Sequence, residues 1–172
     1  KRIRIGVTST PALYQRLRHT FLQEGFHTVP VCDMEVVPDI SGMEQLAEVI
    51  RGGESYSWIL FTSQNAVRLF FEQFRRENAD YRILSEVKFG ALGTGTGQTL
   101  VKYGFHADFM PSKYTIHTMC EEFPRLLTER DKVLIPRASQ GSKELLECEA
   151  GWPGKATILV IYDVRGGATR HM

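Results

Sequence analysis

The chain has 172 residues, enough for one large domain or two small ones. Its 21 Lys and Arg residues nearly balance 20 Asp and Glu residues, and the formal net charge is +1. This balance excludes a global field that would attract nucleic acid or an anionic membrane, so we expect neither as a partner. An anionic ligand would have to be held by local donors.

The distribution of apolar residues and cysteines bears on the cellular compartment of the protein. No apolar run approaches about 18 residues and no signal-peptide pattern opens the chain, which favours a cytoplasmic protein. Cys32, Cys120 and Cys148 are odd in number and far apart, so we expect reduced thiols rather than a disulfide framework. The chain begins with Lys1 and stops at Met172 without a closing element, which favours a fragment of a longer protein.

The first 33 residues predict a βαβ unit. Ile3–Thr8 alternates apolar residues as a strand does, residues 13–22 show helical apolar spacing, and Thr28–Cys32 forms a second strand. Two strands and one helix cannot close a core. We therefore assign residues 1–33 to part of a first domain and residues 34–41 to a linker.

Residues 42–161 predict a complete second α/β domain. Its predicted strands are Trp58–Phe61, Val87–Leu92, Ala107–Met110, Lys132–Ile135 and Thr157–Tyr162; its main helices are Gln64–Glu77, Gly95–Tyr103, Ile116–Leu127 and Ser142–Cys148. Strict alternation predicts parallel strands with right-handed crossovers in a flavodoxin-like arrangement. Residues 162–172 are then a linker returning toward the first domain.

Hydroxyl-rich or glycine-rich turns follow several predicted strands. They are Thr62–Asn65, Gly93–Gly97, Ser112–Thr115 and Pro136–Ser142. Helix N-termini bind carboxylates or phosphates without net basicity, and several at one sheet edge would suit a ligand with several acid groups. The alternative for each turn is that these residues serve only as helix caps.

The sequence lacks the motifs of several other functions. Gly93–Gly97 is followed by Gln98 where the dinucleotide fingerprint needs a third glycine, and no acidic ribose partner follows. There is no P-loop sequence and no G-x-S-x-G. The five histidines and three cysteines show no metal-ligand spacing.

Tyr162 ends the last strand of the second domain. A phenol at this position could protonate a leaving group across a cleft between domains. The alternative is an ordinary strand aromatic whose hydroxyl lies at the surface.

Four segments together resemble the uroporphyrinogen-III synthase family: ILFTSQNAVRLFF, FGALGTGTGQTLVKYGFHADFMPSKYT, KVLIPRASQGSKELL and VIYDV. The resemblance covers nearly the whole chain, and the order and spacing of the motifs carry it. It implies two flavodoxin-like parallel-sheet domains, the first discontinuous and here incomplete, joined by extended linkers at Val31–Pro38 and Val160–Gly166.

The resemblance also implies an activity. The family closes the linear tetrapyrrole hydroxymethylbilane, which carries eight carboxylates, into uroporphyrinogen III while inverting the last pyrrole ring, without cofactor or metal. By resemblance Tyr162 is the catalytic proton donor, and the protein is expected to be a monomer. The substrate-binding positions that the resemblance implies are Thr62, Ser63, Gly93, Thr94, Thr115 and Arg137.

Two departures from the family pattern bear on activity. Asp163 and Val164 stand where a threonine is common, which affects the hydrogen bonding expected around Tyr162. The returning half of the first domain is absent, so the chain alone is expected to have little or no synthase activity.

Two alternatives stay open beside the synthase, and a third is disfavoured. One is a non-catalytic module of the same fold that binds a tetrapyrrole or another polyacid. A second is the synthase part of a fusion with a tetrapyrrole methyltransferase. A third, an unrelated receiver or sugar-binding domain, is disfavoured because a receiver needs an acidic cluster at its strand ends.

Overall fold

The computed structural model describes residues 3–168, and the side chains of residues 3–167. Contacts divide the chain into two units: unit 1, which comprises the described residues up to Val37 and from Asp163 on, and unit 2, Pro38–Tyr162. In chain order the elements are β1 (Arg4–Ser9), α1 (Pro11–Gln23), β2 (His27–Pro38), α2 (Ile40–Ile50), β3 (Trp58–Phe61), α3 (Gln64–Arg76), β4 (Lys88–Ala91), α4 (Thr94–Lys102), α5 (Ile116–Glu122), β5 (Lys132–Ala138), α6 (Lys143–Glu149) and β6 (Lys155–Ala168). Among residues 3–168, no helix has the length and apolarity that crossing a membrane requires.

Unit 1 contains the predicted βαβ arrangement but has almost no core. β1 pairs in parallel with β2, from Arg4 opposite His27 to Ser9 opposite Asp33. α1 follows an extended Thr10 cap and buries none of its residues. Ser9 is the one buried residue among the described residues of this unit. The unit therefore lacks the packed interior that stabilises an independent domain.

Unit 2 contains a parallel sheet in the order β6-β5-β3-β4. The predicted α/β class with parallel strands is confirmed. β3 lies between β4, which follows it along the chain, and β5, which comes much later. The strand order therefore reverses between β3 and β5, and in open α/β sheets ligands bind beside such a reversal, at the carboxyl ends of the strands.

Helices cover both faces of this sheet. All four residues of β3 are buried, as the continuous apolar run predicts. Trp58 and Leu60 belong to a core cluster with residues of α5 and α6. Phe61, which points to the other face, lies edge-on to Phe70 of α3, with 5.5 Å between the ring centroids. α3 also contacts α2 and α4, so these helices form the second layer.

The predicted strand Ala107–Met110 is wrong as a regular strand. Only an isolated parallel bridge joins Gly90 to Phe109. The carboxylate of Asp108 accepts a hydrogen bond from the Phe89 N–H at 2.7 Å, and the N–H groups of Asp108 and Phe109 both point to the Phe89 carbonyl. A side chain thus occupies a position that a backbone carbonyl fills in a regular ladder.

The predicted helix Ile116–Leu127 is shorter than expected. α5 ends at Glu122, and a 3-10 helix, Phe123–Leu126, continues the chain. Pro124 explains the change, because its ring has no N–H to donate and sterically disfavours a continuing α-helix.

The prediction that all three cysteines are thiols is also wrong. Cys120 and Cys148 form a disulfide, with their Cα atoms 6.0 Å apart, and Cys32 is free. The two bonded cysteines lie on α5 and α6, which pack against each other beside the core cluster. Their 28-residue separation gave no sign of this contact, which arises from helix packing.

A β-bulge interrupts the pairing of β5 with β6. Arg137 lies opposite Val160, but Ala138 lies opposite Tyr162, so Ile161 is the extra residue. The Ile161 carbonyl is used elsewhere: it accepts a hydrogen bond from the Asp39 N–H at 2.9 Å.

The first turn of α2 lies directly against this bulge. Asp39 caps the helix, since its carboxylate accepts the Gly42 N–H at 2.7 Å. A Cβ atom at position 42 would collide with the carbonyl of Val160. Glycine at this position therefore allows α2 to approach the bulged backbone.

Candidate active site

Three of the predicted turns lie along one edge of the unit 2 sheet. Thr62 follows β3, Gly93 follows β4, and Arg137 lies near the end of β5. Because the strands are parallel, their carboxyl ends share one edge, which we call the carboxyl edge. The edge includes the point between β3 and β5 where the strand order reverses, and the polar turns are therefore located where ligands bind in such sheets.

Ser63 forms the junction between β3 and α3. Its backbone is extended, at φ −150° and ψ 155°, and its hydroxyl accepts the Ala66 N–H at 3.1 Å. The chain turns here because the buried apolar run ends at Phe61 and a serine follows that can satisfy a free N–H of the helix. Ser63 and Thr62 are both half-buried.

The Ser63 hydroxyl also contacts Tyr162. The two hydroxyl oxygens are 2.7 Å apart, although the residues are 99 positions apart in sequence. Only 3% of Tyr162 is exposed, so the interpretation that placed its hydroxyl at the surface is wrong. Because Asp163 and Val164 replace the threonine that is common in the family, the hydrogen-bond partner of Tyr162 could not be assigned from the sequence. In this structure the partner is Ser63.

Gly93 and Thr94 occupy the corresponding junction between β4 and α4. Gly93 caps α4 with φ −155° and ψ 175°, backbone angles similar to those of Ser63. Glycine has no side chain that could accept a hydrogen bond from the helix. A Cβ atom on Gly93 would lie 3.5 Å from the Cβ and ring of Tyr114. Thr94 is exposed at the first position of the helix.

The two junctions repeat one structure at a spacing of 30 residues. Residues 61–70 and 91–100 have the same succession of strand, bend and helix and the same burial class at every position. Gln64 connects them: its amide oxygen lies 3.5 Å from the Thr99 hydroxyl, and its amide nitrogen lies above Gly95, where a Cβ atom would approach to 2.5 Å. Sequence reasoning did not single out Gln64, and the small residue at position 95 was the available signal.

Thr115 caps α5 and is exposed. Its hydroxyl oxygen accepts the Thr118 N–H at 3.1 Å, and its hydrogen is directed to the Thr118 hydroxyl at 3.0 Å. The side chain is therefore engaged within its own helix turn.

Arg137 is buried, with 3% of the residue exposed. Its guanidinium donates to the carbonyl oxygens of Ala138 at 3.2 Å and Ser142 at 2.9 Å, and it lies against Gly141, where a Cβ atom would collide with it. Burial lowers the pKa of this guanidinium. The residue thus holds the turn between β5 and α6 in shape, and in this structure its donors point to backbone carbonyls of that turn.

The electrostatics of the carboxyl edge favour an anionic ligand. The three turns on this edge contain no Asp or Glu, and α3 and α4 direct their N-termini toward it. In the fourth predicted turn, the Glu122 carboxylate accepts hydrogen bonds from the Ser112 N–H at 2.9 Å and from the Ser112 hydroxyl. Among residues 3–168, no group of three or more His, Cys, Asp or Glu side chains is arranged to hold a metal ion. The arrangement can accept carboxylates at helix N-termini and offers a hydroxyl pair for hydrogen bonding or proton transfer.

Fold and site together define an α/β protein with polar turns at the carboxyl ends of its parallel strands, the position at which ligands bind in such sheets. The family model described as uroporphyrinogen-III synthase HemD matches residues 15–149, and the chain belongs to this family.

Relatives agree with this assignment. The porphyrin biosynthesis protein HemD of Ruminiclostridium josui is 30% identical over 138 residues, which are 80% of this chain and 26% of that protein. A putative uroporphyrinogen-III synthase of Methanocaldococcus jannaschii is 33% identical over 87 residues, 48% of this chain and 34% of that protein. The chain thus spans only about a quarter to a third of the length of these curated relatives.

Solved structures show the same fold. A mutant uroporphyrinogen III synthase of Thermus thermophilus superposes with a TM-score of 0.67 at 16% identity, covering 96% of this chain and 64% of that one. The Helicobacter pylori uroporphyrinogen-III synthetase gives 0.52 at 21% identity, covering 100% of this chain and 64% of that one. At these identities the likeness shows the fold alone.

Proposed function

We propose that this chain is the substrate-binding part of a uroporphyrinogen-III synthase, which closes hydroxymethylbilane into uroporphyrinogen III with inversion of the last pyrrole ring. The observation that carries the proposal is the Ser63–Tyr162 hydroxyl pair at a carboxyl edge whose turns contain no Asp or Glu, in a chain that belongs to this family. The family membership supports the reaction, and the edge supports binding of a polyacid.

The proposed division of roles follows the geometry. Thr62 and Ser63 at α3, and Gly93 and Thr94 at α4, bind substrate carboxylates through helix N-terminal N–H groups and hydroxyls. Thr115, at the N-terminus of α5, is the further substrate-binding position in this proposal. The Ser63–Tyr162 pair supplies the proton with which the hydroxymethyl group leaves as water.

Arg137 acts indirectly in this proposal. Its donors point to carbonyls of the loop between β5 and α6, so Arg137 fixes the shape of that loop. The loop, rather than the guanidinium, contacts the ligand in this proposal. We also propose that the protein acts on a small molecule as a cytoplasmic monomer. Its net charge of +1 supports the absence of a nucleic-acid or membrane partner.

An isomer assay tests the proposal. Hydroxymethylbilane is supplied to the native protein, purified at the length at which its cell makes it, and in parallel to the 172-residue chain. The uroporphyrinogens are oxidised and separated into type I, the spontaneous product, and type III. We expect type III from the native protein and little from the chain alone, because unit 1 buries almost nothing.

Two results would contradict the proposal in different ways. Type I alone from the native protein would refute synthase activity, and tight binding of uroporphyrin III without turnover would then favour the non-catalytic polyacid-binding module. Type III at a normal rate from the 172-residue chain would support the activity and refute the expectation that the chain alone is inactive.

A further inference from the structure

We propose that Ser63 is the hydroxyl that contacts the reacting group, and that Tyr162 acts through Ser63 as a positioning residue that resupplies its proton. This inference rests on the proposed function and deepens it. It replaces a single tyrosine donor with two hydroxyls that act in series.

Burial gives the order of the two hydroxyls. Tyr162 is 3% exposed, whereas Ser63 is half-buried at the carboxyl edge. Because Ser63 is the more exposed residue of the two, we infer that a ligand at this edge contacts its hydroxyl, whose oxygen is 2.7 Å from the Tyr162 oxygen. In this structure the tyrosine is therefore placed to transfer a proton to serine rather than directly to a ligand.

The other hydrogen-bond partners of the two hydroxyls indicate which of them donates to the other. Among the described residues, Ser63 is the hydrogen-bond partner of the Tyr162 hydroxyl, and a buried hydroxyl hydrogen left without an acceptor is unfavourable. Tyr162 therefore donates to Ser63. The Ser63 oxygen also accepts the Ala66 N–H, which uses both of its acceptor sites. Its own hydrogen remains available on the half-exposed side.

The helix behind the pair stabilises the charge that a transfer leaves. α3 has 13 residues, and its N-terminal turn begins at Ser63. The partial positive charge of that terminus favours negative charge nearby, including a phenolate at Tyr162 that is hydrogen-bonded to Ser63.

The carbon–oxygen bond of the substrate hydroxymethyl group breaks, and its electron pair leaves with the oxygen. That oxygen takes the Ser63 proton and departs as water, while Ser63 takes the Tyr162 proton. After ring closure a ring carbon loses a proton to the Ser63 oxygen, while Ser63 gives its own proton back to the Tyr162 phenolate, and both hydroxyls are restored.

A double-mutant cycle in the native protein tests the relay. We expect Ser63→Ala to lower kcat about 100-fold with little change in KM, because the contacting donor is lost. Tyr162→Phe should lower kcat about tenfold, since the serine hydroxyl remains. The double variant should resemble Ser63→Ala, because two groups in series are not additive. Ser63→Thr, which keeps a hydroxyl, should recover kcat to within about tenfold of wild type.

Two controls separate chemistry from folding. Ser63→Ala also removes the α3 cap, so Asp80→Ala, which removes the cap of the 3-10 helix Tyr81–Leu84, should lower the melting temperature and leave kcat unchanged. If Ser63→Ala does not fold, Ser63→Gly replaces it, because glycine caps α4 at the corresponding position 93 with a similar backbone.

Each other outcome overturns the inference. A large loss in Tyr162→Phe with Ser63→Ala or Ser63→Gly near wild type would show that tyrosine contacts the substrate itself. Additive losses would show that the hydroxyls act independently, and unchanged rates in both would remove the pair from the chemistry. In these three cases the wild type still makes type III isomer, and the proposed function stands. If the wild type makes only type I, the proposed function fails and the relay fails with it.

Discussion

The two edges of the unit 2 sheet are built from different chemistry. At the carboxyl edge the turns contain hydroxyls, glycines and backbone N–H groups, and their one arginine is buried against its own turn. At the opposite, amino edge, the strands begin among charged side chains. Glu54 lies 3.3 Å from Lys132 and 3.7 Å from Lys155, and Asp131 accepts the Ser57 hydroxyl at 2.7 Å.

Under the proposed function, this difference would let a nearly neutral protein bind a polyacid. At the amino edge the charges already pair with one another, so a carboxylate ligand gains little there. At the carboxyl edge the helix N-termini have no acidic side chain in the turns to compete with the ligand. The proposed function therefore predicts that binding depends on the absence of acids from the turns and that the overall charge has little influence.

The largest effect is expected where the carboxyl edge depends on a close backbone approach. Gly42→Ala places a Cβ atom against the Val160 carbonyl and should lower the free energy of unfolding by about 3 kcal/mol, because backbone must shift. Urea denaturation measures the change. In the matched variant Gly151→Ala, the added Cβ atom meets the Cys148 carbonyl at an ordinary 3.7 Å, and little loss is expected. Equal losses in both variants would refute the explanation.

A charge placed on one edge and then on the other tests the comparison directly. Ser63→Asp keeps a helix cap but introduces an acid, and should weaken binding of uroporphyrin III about tenfold through like-charge repulsion. Ser55→Asp adds the same charge to an exposed position at the amino edge and should leave the affinity unchanged. Fluorescence titration measures both. Similar weakening by the two variants would mean that net charge, rather than the carboxyl edge, governs binding.

A smaller, pH-dependent effect is expected at Asp131. Hydrogen bonds from the Thr128 N–H and then from the Ser57 hydroxyl hold the pKa of this carboxyl below its usual range. A lowered folded-state pKa contributes stability that is present above the ordinary value of about 4 and is lost as pH falls through the folded-state pKa.

Asp131→Asn should therefore lower the free energy of unfolding by about 1 kcal/mol at pH 7, and the difference should shrink below about pH 4. Urea denaturation at pH 7 and pH 3 measures this. Glu129→Gln removes a charge from the same turn without removing those hydrogen bonds and serves as the control. A difference that stays constant with pH would contradict the assignment.

The smallest effect is expected for Lys155→Gln. The ammonium lies 3.7 Å from the Glu54 carboxylate, but the lysine side chain is 67% exposed. Exposed pairs of this kind contribute about 0.5 kcal/mol or less, so the melting temperature should change by a degree or two at most. A loss comparable to that of Gly42→Ala would mean that the ion pairs of the amino edge stabilise the sheet more than their exposure suggests.

Much of unit 2 could be predicted from the sequence. The predicted strand Trp58–Phe61 agrees with β3 residue for residue, and the helix predicted from Gln64 begins there. Both signals are local: a fully apolar run defines the strand, and a serine cap defines the start of the helix. The sites of the polar turns follow from the same local signals together with the parallel topology.

The parts that could not be predicted depend on contacts between distant residues. The Cys120–Cys148 disulfide requires α5 to pack on α6, and the pairing of Ser63 with Tyr162 requires β6 to lie beside β5. Whether Arg137 would point to a ligand or back to the Ser142 carbonyl depends on the path of the following turn. Neither helical nor strand periodicity contains this information.

The bulge at Ile161 has a consequence for how related sequences are aligned. Side chains alternate between the faces of a strand, so one extra residue reverses the face of every position after it. Without the bulge, Tyr162 would share the face of Val160; with it, Tyr162 takes the face of Ala138. A relative without the bulge would therefore present an equivalent hydroxyl only if its tyrosine stood one position earlier. In this family, a tyrosine displaced by one column in an alignment can be the same residue in space.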